Sequence, residues 1–343
     1  MRNLNWLLVV FLLFSCVATH AENPKPVAAK PLYRDPVYDG AADPTVIWNP
    51  LLKRWWMFYT NRRANVADLT GVTWVHGTPI GIAESADNGA TWKYVSTADI
   101  QLPPEFGGKD VTLWAPDVVL GDDHQWHMFL AVVPGIFPDW NHPRSIVHLT
   151  STDLLKWRNA QPLTLATDRV IDPSIIRMSD HLWRMYYNDE RHGKAIYYAE
   201  SPDLNTWTDK GPAVGTKCEG PKAFRWQNKF WLIVDEWKGL AVYRSDDDGK
   251  TWSKQHDNLL ATPGTGTDDQ AKGGHPDVVI SKDRAYLFYF THPNRKDSDQ
   301  MSDTTAHRRS SIQVVEMKFK DGWLTCDRDQ PTQIDLIPPI AAN

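Results

Sequence analysis

Apolar and aromatic residues recur along the chain in short runs that keep a fixed order. Five runs are apolar or aromatic on both faces, as strands covered on both sides must be: Trp55–Thr60, Trp126–Ala131, Trp183–Asn188, Phe230–Asp235 and Tyr286–Thr291. A second β-rich run follows each of these, at Ile80–Ser85, Ser145–Ser151, Ala195–Ser201, Leu240–Ser245 and Ser311–Met317. Helical periodicity is absent after residue 21, so the pattern predicts an all-β protein.

Each pair of runs is framed by a proline and a tryptophan. The prolines stand before the pairs, at positions 44, 116, 173, 221 and 276. The tryptophans follow, in or near a fourth strand, at Trp92, Trp157, Trp207, Trp252 and Trp323. The period of about 48 to 72 residues is in the range of propeller blades. We therefore predict a five-bladed β-propeller with four antiparallel strands per blade.

The repeats run through most of the chain, which favours one domain at residues 40–330. Residues 1–21 have the features of a secretory signal, with Arg2 before the apolar run Trp6–Phe14. Residues 22–39 are predicted to be a tether and residues 331–343 a C-terminal tail. We expect export to the periplasm or the cell exterior. Because Leu13-Phe14-Ser15-Cys16 also resembles a lipobox, an outer-membrane lipoprotein anchored at Cys16 is the alternative.

Composition excludes several classes of partner. The chain has 37 Lys and Arg against 42 Asp and Glu, a net charge of −5, without a basic run, which argues against nucleic-acid binding. No segment after the signal is long and apolar enough to span a bilayer. Cys218 and Cys326 are too few for a disulfide framework, and we expect two free thiols.

The first strand of each propeller blade lines the central channel, so the five strand starts should surround one mouth. They hold Asp43, Ala115, Asp172, Glu219 and His275, with Glu219 one residue earlier than the others relative to its proline. Asp-Pro is also common at turns, but the shared blade position favours a functional role for the acids. Asp117 and Asp277 align instead with Thr45 and Ser174, and are expected to bond backbone turns.

The loops between second and third strands should wall the same mouth. They are long in blades 1, 2 and 5 and rich in Arg, His and Trp. Arg62, Trp74 and His76 are candidate substrate contacts from the first of these loops. Trp114, before the second proline, is a candidate aromatic platform or a core residue. Aromatic faces pack against the C–H face of a sugar and charged groups bond its hydroxyls, so the rim suits a carbohydrate.

Three carboxylates around one channel suit glycosidic bond cleavage, which needs a proton donor and a carboxylate that activates water or attacks carbon. The segments that hold them resemble the five-bladed glycoside hydrolase family 43: Asp43-Pro44, Trp114-Ala115-Pro116-Asp117-Val118, Asp172-Pro173-Ser174, Glu219-Gly220-Pro221 and Gly274-His275. This resemblance implies Asp43 as general base, Glu219 as general acid and Asp172 as the residue that tunes the acid. It also implies inversion at the anomeric carbon and no cofactor for the chemistry.

The resemblance extends to two further features of the fifth blade. It implies that His275 lies near a structural calcium ion in the channel. It also implies a sugar contact from a blade 5 arginine, either Arg308 or Arg309.

The function predicted is a secreted, exo-acting, inverting glycoside hydrolase. It would release a terminal arabinofuranose, xylose or galactofuranose from plant or algal polysaccharide fragments. A non-catalytic glycan-binding propeller is one alternative. A sialidase-like hydrolase of acidic glycans is another, because the Ser-x-Asp-x-Gly-x-Thr-Trp segments ending at Trp92 and Trp252 resemble Asp-boxes, and rim arginines could bind a uronic acid or sulfate.

Overall fold

Five antiparallel sheets follow one another in chain order in the computed structural model, which describes residues 25–215, 217–295 and 304–339. Blade 1 contains β1 (Ala41–Asn49), β2 (Arg54–Asn61), β3 (Ile80–Ser85) and β4 (Lys93–Thr97). Blade 2 contains β6 (Thr112–Leu120), β7 (Trp126–Val133), β8 (Ser145–Ser151) and β9 (Lys156–Pro162). An additional short strand, β5 (Asp99–Ile100), pairs in parallel with the outer strand of this blade.

The other three blades repeat the plan. Blade 3 contains β10 (Val170–Arg177), β11 (Trp183–Asp189), β12 (Ala195–Ser201) and β13 (Thr208–Val214). Blade 4 contains β14 (Glu219–Trp226), β15 (Lys229–Asp235), β16 (Leu240–Ser245) and β17 (Ser253–Lys254). Blade 5 contains β18 (Gly274–Ser281), β19 (Arg284–Thr291), β20 (Ser311–Lys320) and β21 (Trp323–Cys326). The prediction of an all-β, five-bladed propeller is confirmed.

Helices contribute little to the described part of the chain. They are three single-turn 3₁₀ segments and one short α-helix: Thr73–Val75, Pro104–Phe106, Gly108–Asp110 and α1 (Thr305–Arg308). None of them could cross a bilayer. Cys218 and Cys326 are free, as predicted. The signal segment and Cys16 lie outside the described residues.

The hydrophobic core lies between the blades. At the first interface, Phe58 of blade 1 packs edge to face against Trp157 of blade 2, and Met128 and Leu130 are fully buried beside them. Similar clusters fill the other interfaces. A second strand sandwiched in this way is covered on both faces, which explains its uninterrupted apolar sequence.

The two ends of the described chain pack on each other at the seam of blades 1 and 5. Ala28 N donates to Thr332 O at 2.8 Å, and Ile334 N donates to Pro26 O at 3.0 Å. Leu32 and Leu336 are buried in the same cluster. The predicted tether and the predicted tail therefore both contain residues that pack against the propeller.

A bulge interrupts the first strand of every blade directly before its proline. The residues at these five bulges all have positive φ: Asp43 (51°), Ala115 (45°), Asp172 (58°), Gly220 (55°) and His275 (40°). Non-glycine residues seldom adopt this conformation, and bulges that redirect a side chain are common beside active sites. The repeated proline thus marks five backbone kinks around the channel.

The Ser-x-Asp segments lie in the turns between third and fourth strands, at the opposite end of the blades. In the first, Ser85 Oγ accepts from Gly89 N at 2.9 Å, and Asp87 Oδ1 accepts from Thr91 N at 2.9 Å. The turn at Ser245 and Asp247 repeats these bonds. These hairpins stabilise the blades and lie away from the mouth.

Candidate active site

The strand starts surround one mouth, as the repeat predicts. Asp172 Oδ2 accepts from the backbone N–H of Gly220 at 3.0 Å, which joins blade 3 to blade 4. His275 Nδ1 lies 3.4 Å from Asp43 Oδ1, which joins blade 5 to blade 1. A Cβ on Gly220 would lie 3.0 Å from that same His275 nitrogen, so a side chain here would crowd the ring. Residues more than 200 positions apart therefore meet around one axis.

Asp43 is a buried carboxylate held by two basic side chains. Arg62 Nη2 donates to both of its oxygens, at 2.9 and 3.1 Å. Burial alone would raise the pKa of Asp43, but the charges of Arg62 and His275 lower it below the usual value. Asp43 is therefore ionised at neutral pH, as a residue that accepts a proton must be.

Asp172 has the opposite electrostatic environment. It is 6% exposed. Burial, followed by the negative charges of Glu219 and Asp43, raises the pKa of Asp172 well above its usual value. Two carboxyl groups at one mouth are thus driven in opposite directions by their surroundings, a common sign of divided acid and base roles.

Glu219 is the first residue of β14, one position before the bulge at Gly220. Its Oε1 accepts from Trp237 Nε1 at 2.9 Å and its Oε2 accepts from Lys194 Nζ at 3.3 Å. Lys194 also lies 5.1 Å from the Trp237 ring centroid. Trp237 is 42% exposed, so its ring offers an open apolar face beside the Glu219 carboxyl.

Sequence reasoning missed Trp237 and Lys194 because they lie in the short loops of blades 3 and 4. The prediction followed loop length, and these loops have only a few residues each. Their position in the repeat, between a second and a third strand, was the available signal.

Asp235 is a further carboxyl that was not predicted, because it is the last residue of a predicted strand. It stands directly opposite Glu219 in the β14–β15 pairing. It accepts from Trp237 N at 2.7 Å and from His275 N at 3.0 Å. Burial and the nearby charge of Glu219 raise the pKa of Asp235 to about 7.

Replacing Asp235 with Asn is expected to change how stability depends on pH. The wild-type folded state holds this proton up to about pH 7, whereas the unfolded chain releases it near pH 4. Asp235 therefore lowers the stability of the wild-type fold as the pH rises. This loss is absent at low pH and reaches at most about 4 kcal/mol. The free energy of unfolding of Asp235→Asn, measured with urea and compared with that of the wild type, should therefore be more favourable at pH 7.5 than at pH 4.5. The surface variant Asp257→Asn serves as control; an equal response of both variants contradicts the assignment.

The residues directly after the five prolines form a second ring below the mouth: Thr45, Asp117, Ser174, Lys222 and Asp277. Lys222 Nζ lies 3.0 Å from Asp117 Oδ1 and 2.7 Å from Asp277 Oδ1. The second oxygen of Asp117 accepts from Ile175 N at 2.6 Å, and that of Asp277 accepts from Val46 N at 2.8 Å. The expected structural role of both acids is confirmed, and their network joins all five blades.

The ammonium group of Lys222 lies in the channel where a calcium ion was expected. Calcium takes about six to eight oxygen ligands at roughly 2.3–2.6 Å, but the carboxylates of the channel ring already bind an ammonium group. Among the described residues, no three His, Cys, Asp or Glu side chains are arranged to hold a metal ion. The ring that Lys222 bridges therefore does not fit calcium, and His275 contacts Asp43 at the mouth.

Replacing Lys222 with Met should lower the free energy of unfolding by about 3–5 kcal/mol, because it leaves Asp117 and Asp277 buried without a cation. Urea unfolding measures the loss. Lys229, in a surface pair with Asp246 at 2.7 Å, provides the control, and Lys229→Met should cost at most about 1 kcal/mol. EDTA should not shift the wild-type midpoint. Equal stability of the two variants, or a marked loss with EDTA, contradicts a lysine-bridged channel.

Three residues predicted as substrate contacts are packed inside protein instead. Trp74 is 4% exposed, His76 1% and Trp114 8%, and all three belong to one tightly packed region behind the mouth. Trp114 Nε1 donates to Val75 O at 2.6 Å. Their faces are covered because the blade 1 loop folds back onto blade 2. Trp140 (43% exposed) and Trp237 are the open aromatic rings on the mouth-side loops.

The blade 5 arginines also have structural partners. Arg308 is 2% exposed, and it donates to Val66 O at 3.2 Å and to Leu69 O at 2.6 Å. Arg309 pairs with Asp268. Arg308 is therefore a support for the blade 1 loop rather than an open sugar contact. Val72 N donates to Pro138 O at 3.0 Å, so the long loops of blades 5, 1 and 2 form one continuous wall.

The chain shows similarity to a sequence family and to solved structures. Residues 36–257, more than half of the chain, match the BNR repeat-like domain family. No curated protein shows significant similarity. A thermostable family-43 glycoside hydrolase is 17% identical with a TM-score of 0.60, covering 90% of this chain and 100% of its own.

Two other solved structures have similar folds. The GH43_1 enzyme from Xanthomonas citri, solved with xylose, is 13% identical with a TM-score of 0.59, covering 88% of this chain and 93% of its own. The Bombyx mori GH32 beta-fructofuranosidase is 15% identical with a TM-score of 0.63, covering 89% of this chain. This chain spans 65% of that enzyme's length.

These likenesses confirm, at the level of fold, the predicted resemblance to the propellers of family 43. The Ser-x-Asp hairpins repeat along the part of the chain that the sequence family matches. This protein belongs to the BNR repeat-like domain family.

Proposed function

We propose that the protein is an exo-acting, inverting glycoside hydrolase. The observation that carries the proposal is the meeting of Asp43, Asp172 and Glu219 at one mouth, with opposite electrostatic surroundings for Asp43 and Asp172. Structural ion pairs also perturb pKa values, but they do not require an acid–base set beside an open aromatic ring. A binding protein has no use for such a set.

Glu219 acts as the general acid. Asp172 retains its proton to a higher pH than an ordinary aspartate, because it is buried and because the negative charge of Glu219 opposes its ionisation. Trp237 and Lys194 orient the Glu219 carboxyl. Glu219 gives its proton to the glycosidic oxygen as the bond from that oxygen to the anomeric carbon breaks.

Asp43 acts as the general base. It remains ionised beside Arg62 and takes a proton from the water that attacks the anomeric carbon on the face opposite the leaving group. This geometry requires the carboxyls of Asp43 and Glu219 to lie about 6.5–9.5 Å apart. The sugar released then has the opposite anomeric configuration.

Removal of a terminal sugar is favoured by the shape of the mouth. The loops of blades 5, 1 and 2 are tied to one another, which closes one side of the mouth against a continuing polysaccharide chain. The exposed rings of Trp140 and Trp237 offer apolar faces for sugar C–H groups. We propose a terminal arabinofuranose, xylose or galactofuranose from plant or algal fragments as the sugar released. We further propose that the enzyme acts after export.

Time-resolved NMR of the first product tests the mechanism. Inversion predicts that the released sugar first appears with the anomeric configuration opposite to that of the substrate and then mutarotates. A first product with the substrate's configuration excludes the proposed roles of Asp43 and Glu219. Tight binding of glycans without any turnover would favour a non-catalytic binding propeller instead.

A further inference from the structure

The side of the mouth formed by blades 1 and 5 carries excess positive charge. Arg295 Nε donates to His307 O at 2.7 Å, and its guanidinium lies 5.4 Å from the Trp74 ring centroid. Burial and the positive charge of Arg62 lower the pKa of Arg295 to about 10. This arginine is thus held rigidly, largely removed from water, and close to a second cation.

Three arginines of the mouth have carboxylate partners, and Arg295 differs from these three. Arg62 pairs with Asp43, Arg144 with Glu190 at 2.7 Å, and Arg309 with Asp268. Within the described ranges, no carboxylate lies at salt-bridge distance from Arg295. Buried charges in proteins are normally paired, so two neighbouring guanidinium groups with one carboxylate between them among the described residues favour an anionic ligand.

His292 does not supply the missing negative charge. Its Nδ1 lies 2.9 Å from Arg309 O and therefore carries the hydrogen, which leaves Nε2 to accept from Arg62 Nη1 at 3.3 Å. Burial and the charges of Arg295 and Arg62 lower the pKa of His292 well below its usual value. The group formed by Arg62, Arg295 and His292 contains two cations, and Asp43 is its carboxylate among the described residues.

The opposite side of the mouth is rich in carboxyl groups. Asp172, Glu219 and Asp235 lie there, together with Glu190, which pairs with Lys194 at 3.0 Å. Carboxyl groups are therefore concentrated at blades 3 and 4, where Lys194 pairs with two of them. The neighbouring guanidinium groups of Arg62 and Arg295 lie at blades 1 and 5. A sugar with a negative substituent would be oriented by this field, with its anionic group directed away from Glu219.

We propose that the pocket binds a sugar carrying an anionic group, a carboxylate or a sulfate ester, against Arg295 and Arg62. The proposed glycosidase then acts on acidic glycans, with the anionic group on the terminal sugar or on its neighbour, a conclusion that rests on the proposed function. Planar guanidinium groups bind such anions with paired, charge-assisted hydrogen bonds.

Calorimetric titration of the Glu219→Gln protein tests the proposal without turnover. The probes are matched pairs of sugars that differ in the anionic group: galacturonate and galactose, glucuronate and glucose, and galactose with and without a 6-sulfate. At least one acidic member should bind about tenfold or more tightly than its neutral partner. The uronate and sulfate pairs show which anion is preferred. Equal affinities within every pair overturn the proposal.

Arg295→Gln, introduced into the same protein, should remove the preference for the acidic member. Arg225→Gln is the matched control, because Arg225 pairs with Asp248 at the far end of β14 from Glu219. It should leave the preference unchanged. Thermal unfolding checks that both variants fold; should Arg295→Gln not fold, Arg295→Lys keeps the charge and loses the paired geometry, so it should weaken the preference. A preference that survives both Arg295 changes overturns the proposal.

Turnover by the wild-type enzyme separates this proposal from the proposed function. Hydrolysis of neutral oligosaccharides only, at a rate that Arg295→Gln does not change, overturns the anionic substrate and leaves the hydrolase. Arg295-dependent binding of acidic sugars without hydrolysis of any glycoside supports the anion site and contradicts the proposed function.

Discussion

Replacing Glu219 with Gln is expected to lower kcat on natural oligosaccharides by about 10²–10⁴-fold, because the amide has no acidic proton for the leaving oxygen. The change preserves the size of the side chain and its hydrogen bond from Trp237. Aryl glycosides with acidic phenol leaving groups need little protonation, so their kcat should fall much less. Steady-state kinetics on both substrate types measures the difference.

Glu84→Gln provides the matched control for this substitution. Glu84 lies on β3, the third strand of blade 1, at the end away from the mouth, and pairs with Lys93 at 3.0 Å. Its replacement should leave kcat on both substrates within about twofold, since exposed ion pairs contribute little. An equal loss on natural and aryl substrates in Glu219→Gln would contradict the assignment of Glu219 as proton donor.

Replacing Asp43 with Asn is expected to reduce kcat by about 10²–10⁴-fold on natural and aryl substrates alike. Activation of water does not depend on the leaving group, so a good leaving group should not spare this variant. The loss also leaves Arg62 without its charged partner.

The control for Asp43 is Asp122→Asn. Asp122 pairs with Arg177 at 2.8 Å at the surface, and its loss should leave kcat unchanged. Thermal unfolding separates a lost base from a lost fold. If Asp43→Asn retains nearly full activity on aryl glycosides, another group must activate the water.

The strands and their order could be predicted from the sequence because each strand has its own local sequence pattern. Trp126–Val133 is apolar on both faces, and such a strand must lie between two layers of protein. The prolines located the five bulges, so Asp43 and Asp172 could be placed at equivalent positions. Even the displacement of Glu219 by one residue is present in the structure, where Gly220 occupies the bulge.

The side-chain environment of the site depended on contacts that sequence does not specify. Trp74 and His76 are residue types that often contact sugars, so the sequence favoured them as substrate contacts. Their burial depends on how a long loop packs on blade 2, which the sequence does not specify. Trp237 was missed for the converse reason, since only its position beside Glu219 reveals a role. Lys222 is a single lysine in a β-rich segment, and its two partners lie 105 and 55 residues away.

The most direct test is the release of monosaccharide from a broad panel of neutral and acidic oligosaccharides by the wild-type protein and by Glu219→Gln. The account predicts that the wild-type protein releases one terminal sugar from at least one panel member and that Glu219→Gln releases almost none from it. Release of sugar at the same rate by both proteins, or binding of panel members with no release by the wild-type protein, would contradict hydrolysis at this mouth.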